Sequence, residues 1–211
     1  MRKILTYAEA HEIVSPMYDV LADCIQSSFA EHLSMCDLAN QFGRPVSYEN
    51  RTKANIIHDH LKSHVAEKFT NSKIFEVDKW NNIFGVKVKD DVFIRFNKIN
   101  ESRKISCRKT NQYINYMRQG EIQGFPASPT LLFAGYLPDE NWTSIRGIYL
   151  LCPDNEDTLH WSYELDRRNS SEQLSVFERN EGRKRKVKLK LTDEEIYQTL
   201  NIKKSGTNDS V

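Results

Sequence analysis

Glycine and proline are scarce in this chain, 8 and 6 of 211 residues, well under the roughly 12% that the two usually make up together. That scarcity argues against a loop-dominated or disordered protein. Cysteine is limited to Cys24, Cys36, Cys107 and Cys152, with no CxxC pair and no zinc-ligand spacing, which excludes a disulfide scaffold or a zinc ribbon. Long apolar runs are missing too. The longest, Ile148 to Cys152, is far short of the ~20 residues that cross a bilayer. The basic start at Arg2 and Lys3 meets Glu9 before any hydrophobic region develops, so no signal peptide is expected and the predicted setting is the reducing cytoplasm. Absent as well are GxxxxGK[ST], GxGxxG and GxSxG, the loops that cradle phosphates, dinucleotides or a nucleophilic serine. His11-Glu12 starts an HExxH motif that Ser15 ends, and no Asp or Glu is followed two residues later by Lys, so the carboxylate-x-lysine signature of metal-dependent restriction-type nucleases is lacking. No cofactor and no metal are expected.

A chain of this length buries roughly 70% of its unfolded surface and can build a core unaided. Thr6 and Glu9 form a capping box ahead of apolar residues at helical spacing, Ile13 to Phe29, with Ser15-Pro16 expected to open a second helix. A third helix is predicted over Thr52 to Phe69, with Ala54, Ile57, Leu61 and Val65 inward. From Lys73 the period drops to about 2. Residues 73–77, 83–88 and 92–96 read as one three-stranded meander, and 130–137, 143–152 and 159–165 as another. A short helix from Thr110 to Gln119, stopped by Gly120, falls between them. The expected fold is α+β: N-terminal helices packed on an antiparallel sheet of about six strands. Residues 1–166 are expected to form one domain, helical over 1–70 and sheet over 73–165, and 167–211 a charged extension with a disordered end.

The near-neutral net charge of +1 conceals opposed blocks: residues 95–118 set seven basic side chains against Glu101, and residues 119–165 set seven acidic ones against Arg146. Such asymmetry predicts a surface for an anionic partner. On the third helix Arg51, Asn55, His58 and Lys62 fall at i, i+4, i+7 and i+11, one polar stripe within about 60° of arc. Beside Arg95 and Lys98 this stripe could converge on a phosphate, arginine binding it bidentately and histidine moving a proton; the plainer alternative is a solvated helix face. Arg103, Lys104, Arg108 and Lys109, interleaved with Tyr113 and Tyr116, fit phosphate contact plus stacking, or docking on an acidic protein. Residues 183–190, six of eight basic, fit nucleic acid or a lysine-guarded edge strand. His60 and His64 have the i, i+4 spacing of two metal ligands, but no third ligand is near in sequence and a hydrogen-bonded structural role is the simpler expectation.

Five segments, Arg51–His60 (RTKANIIHDH), Phe93–Ile99 (FIRFNKI), Leu131–Tyr136 (LLFAGY), Ile148–Pro153 (IYLLCP) and His160–Leu165 (HWSYEL), resemble a group of uncharacterised bacterial proteins. That group is encoded beside regulators joining a helix-turn-helix domain to a zinc metallopeptidase-like domain, a toxin–antitoxin-like arrangement. The resemblance covers about residues 50–165 and implies a protein partner but no catalytic residue. The leading expectation is thus a non-catalytic module, one half of a regulatory or toxin–antitoxin-like pair. The alternatives are a metal-independent, RNase-like enzyme built on the Arg51 to Lys98 group, or a plain nucleic-acid binder.

Overall fold

A computed structural model describes residues 4–69, 74–80, 82–122, 125 and 128–165; the expectations for the basic run 183–190 and the disordered end lie outside these residues. The capping box forms: Glu9 N donates to Thr6 Oγ1 at 3.4 Å and Thr6 N to Glu9 Oε2 at 2.9 Å, starting α1 at Tyr7–Val14. Ser15 does not cap a second helix. Ser15–Met17 is a 3₁₀ turn, because Pro16 lacks the N–H that would carry the α ladder onward, and the chain tightens by one turn instead. Helix α2 then runs Tyr18–Gln41 and α3 Asn50–Phe69.

Strands β1 (Phe75–Trp80), β2 (Ile83–Val88) and β3 (Val92–Lys98) form the first meander. After the short helix α4 (Asn111–Met117) come β4 (Thr130–Pro138), β5 (Ile145–Pro153) and β6 (Leu159–Leu165). All six lie in one sheet in chain order. Within each meander the pairing is antiparallel, as expected, but β3 and β4 are parallel, with Phe93 opposite Leu131 and Lys98 opposite Tyr136. The physical reason is the connection: between β3 and β4 lies α4, packed on one face of the sheet, and a long crossover with a helix lets the next strand run in the same direction.

Alternation along the strands sorts the core into two layers. Val92, Ile94 and Phe96 of β3, with Leu132, Ala134 and Tyr136 of β4, face Leu21, Ile25 and Phe29 of α2 and Ile57, Leu61 and Val65 of α3. Phe93, Leu131 and Phe133 face the other way, onto Tyr113, Tyr116 and Met117 of α4. Each such side chain, taken from water, contributes about 1.5–3 kcal/mol. Thr110 caps α4 by accepting from Tyr113 N at 3.1 Å. Past the helix end, Gln119 ties β4 to β5: its Nε2 donates to Leu131 O at 2.8 Å and Pro153 O at 2.9 Å. The core layers fix β3 between α3 and α4, and that placement makes the site.

Candidate functional site: a cationic recess beside the third helix

Strand β2 pairs with β3 in register only over Val86–Val88 opposite Val92–Ile94. From Arg95 onward β3 keeps β4 on one side. On the other the chain folds back: Ile105 bridges Ile99 and Ser106 N donates to Lys98 O at 2.9 Å. Where β2 leaves and residues 106–108 return, side chains from both faces of β3 reach one recess of about 570 Å³, roofed by the first turns of α3. Arg51, Asn55 and His58 enter from the helix, Arg95, Asn97 and Lys98 from the strand. Asn50 at the start of α3, Ser106, Cys107 and Arg108 of the returning segment and Tyr136 of β4 complete the polar lining.

Among the described residues the lining holds four formal cations, Arg51, Arg95, Lys98 and Arg108, and no carboxylate. Among the described residues none of the four is held in an ion pair. Three polar atoms of the lining are buried without a hydrogen-bond partner: Arg95 Nη1, Asn97 Oδ1 and Tyr136 Oη. Leaving such a group unsatisfied costs about 1–3 kcal/mol. Burial pushes the Tyr136 phenol up. Burial foremost, then the charges of Lys62 and Arg95, takes the His58 imidazole down to about 4, so it stands neutral at pH 7. Burial also lowers the Lys98 ammonium, which sits 5.1 Å from the centre of the Trp142 ring. The Cys107 thiol is raised by burial against the opposing pull of Arg95. A phosphate or carboxylate entering here meets fixed donors and no repulsive oxygen anion, while a neutral imidazole beside it can accept a proton.

The structure divides the sequence-selected residues. Arg51, Asn55, His58, Arg95, Lys98 and Arg108 share the recess. Lys62, last of the helical stripe, turns to Asp59 at 2.6 Å. Lys104 holds Asp157 at 2.8 Å and Lys109 holds Glu156 at 2.6 Å, so the acidic β5–β6 turn occupies two cations of the basic segment. Arg103 stacks 4.8 Å from the Tyr149 ring centre and donates to Ser162 Oγ at 2.7 Å. His60 and His64 both meet Glu31 of α2, at 2.7 and 3.0 Å, and among the described residues no three His, Cys, Asp or Glu side chains are grouped for a metal ion. Sequence reasoning did not select Asn97 or Tyr136. Asn97 stood between two selected residues as a neutral polar position in a strand. Tyr136 comes beside Lys98 only through the parallel pairing, which leaves no periodic signal.

Among the described residues no helix is long and apolar enough to cross a membrane. No protein-family model, no curated protein and no solved structure matches the chain, so what the protein does is inferred from the recess and its surroundings.

Proposed function

We propose that the protein binds single-stranded nucleic acid, seating one nucleotide and its phosphate in the recess between α3 and β3. The observation that carries this is the lining itself: four cations, no carboxylate, and an Arg95 Nη1 with no hydrogen-bond partner. Guanidinium groups match phosphate oxygens bidentately. About 570 Å³ lies within the roughly 300–1,000 Å³ usual for small-ligand sites, enough for one nucleotide unit. The asparagine amides beside the cations offer donors and acceptors to a base or ribose edge. Four unpaired cysteines fit a reducing, cytoplasmic setting.

Fluorescence anisotropy with a labelled RNA oligomer tests the reading. Four phosphate-neutralising cations give a slope of log affinity against log salt near about −3. Arg95→Ala should weaken binding by roughly tenfold or more, since a hydrogen bond to a charged group contributes about 1.5–3 kcal/mol. Equal affinity of the wild type and Arg95→Ala would remove the recess from the reading.

A second reading, a module acting through a protein partner in a toxin–antitoxin-like pair, draws support from the far end of α2. There Met35, Leu38 and Phe42, at helical spacing, are 44, 53 and 75% exposed, and apolar side chains left in water along one helix face mark interaction surfaces. Phe42→Asp should abolish co-purification of a neighbour-encoded partner and leave nucleic-acid binding intact; retention of the partner by that variant would move the interface elsewhere.

A further inference from the structure

We propose that the recess cleaves single-stranded RNA without a metal ion, His58 taking the proton of a ribose 2′-hydroxyl and Lys98 giving one to the departing 5′-oxygen. This rests on the recess binding a nucleic-acid phosphate and adds a reaction to it. Binding alone asks only for positive charge, and a protonated imidazole would serve. His58 lines the recess beside Arg95 and is neutral at physiological pH; the negative charge of a bound phosphate opposes the cations that keep it so and raises its readiness to take a proton there. Lys98 is enclosed on the opposite wall, on β3, where burial loosens its hold on a proton and makes it a better acid than a solvated lysine. Arg95 Nη1 and Tyr136 Oη, both buried and unpartnered, are fixed donors of the kind that stabilise charge developing on phosphoryl oxygens. Among the described residues the lining has no carboxylate to hold a divalent cation, so the chemistry open to these side chains is proton transfer with charge stabilisation.

The step balances within the strand. As the 2′-hydroxyl proton moves to the His58 ring nitrogen, the 2′-oxygen forms a bond to phosphorus. The bond from phosphorus to the 5′-oxygen breaks, its electron pair stays on that oxygen, and the oxygen takes the Lys98 proton. One product ends in a 2′,3′-cyclic phosphate and the other in a 5′-hydroxyl. His58 then gives its proton to water and Lys98 regains one, leaving no need for an oxidant or a co-reactant.

The test incubates the full chain with a labelled single-stranded RNA oligomer, and with its all-deoxy counterpart, near neutral pH in EDTA. The expected result is RNA fragments ending in cyclic phosphate, with the deoxy strand bound but intact. His58→Ala should slow cleavage at least roughly 100-fold when RNA is saturating, so that a change in affinity does not enter the rate, and His58→Gln, closer in volume, repeats the test should alanine impair folding. Lys104→Ala, whose charge is held by Asp157 outside the recess, should cut at the wild-type rate. RNA that binds through Arg95 yet stays whole would overturn the cleavage and leave the binding reading standing. Cutting of the deoxy strand, or undiminished cutting by both His58 variants, would overturn it as well. Absence of any Arg95-dependent binding would remove both readings together.

Discussion

Tyr136→Phe is expected to make the protein more stable and less able to bind. The Tyr136 side chain is only 3% exposed, and its hydroxyl is buried with no hydrogen-bond partner. Folding therefore strips that hydroxyl of water and returns nothing, a loss of about 1–3 kcal/mol. Phenylalanine keeps the ring packed against the α2 and α3 side of the sheet and removes only the oxygen. Allowing for the small void that remains, the net gain should be about 1 kcal/mol, or roughly 2–4 °C in Tm for a chain of this size. Nucleic-acid affinity should fall, because Tyr136 lines the proposed phosphate recess and its hydroxyl is a donor with no partner in the fold.

Urea and thermal unfolding of the wild type and the variant, beside anisotropy titrations, measure both effects. Tyr116→Phe is the internal control. Its hydroxyl is also buried, but lies 2.7 Å from Leu132 O and 3.2 Å from Phe93 O. Deleting it should destabilise by about 1 kcal/mol, the opposite sign for the same chemical change. A fall in Tm for Tyr136→Phe with unchanged nucleic-acid affinity would refute the reasoning, since it would show the hydroxyl to be satisfied by the fold itself.

Two further outcomes follow from the geometry around β3. A Cβ on Gly85 would come within 2.5 Å of Ile94 O and of the Phe93 ring, so Gly85→Ala should destabilise by about 1–3 kcal/mol, read as a lower urea midpoint; an unchanged midpoint would show that β2 can shift freely. His58 gives a pH dependence: the unfolded imidazole takes its proton near about 6.5, the folded one not until about 4. The unfolded state therefore binds more protons between those values, and stability falls as pH drops through that window. His58→Gln should flatten this part of the pH–stability curve, and a slope identical to the wild type would place the titrating group elsewhere.

Local signals carried much of the architecture. The Thr6/Glu9 box, the change of period after residue 73 and the stripe Arg51, Asn55, His58 are all short-range patterns, and each has a direct counterpart in the structure. Strand direction has no such signal. An antiparallel and a parallel β4 have the same alternation, and only the crossover through α4 decides between them. The consequence reaches the site, because Tyr136 is brought beside Lys98 by that parallel register. The 3₁₀ turn at Pro16 was hidden for a related reason: a proline after a serine suits a helix start as well as a tightened last turn, and the continuous packing of α1 into α2 selects the second.

The fate of the basic segment shows why composition alone could not locate the site. Seven cations within residues 95–118 look like one surface, yet the carboxylates that take two of them lie in the β5–β6 turn, brought alongside by the sheet rather than by the sequence. Both pairs involve lysines at the surface, where solvent screens an ion pair, so they shape the charge map more than they stabilise the fold. Arg95 and Lys98 are half-buried, where a carboxylate partner would have mattered more, and they line the same recess as the exposed Arg51 and Arg108. Like charges gathered at reduced solvent exposure repel one another and lose hydration. A chain that sets carboxylates against its outlying lysines, but leaves the half-buried Arg95 and Lys98 without an ion pair among the described residues, is least stressed when an anion from outside lies beside them.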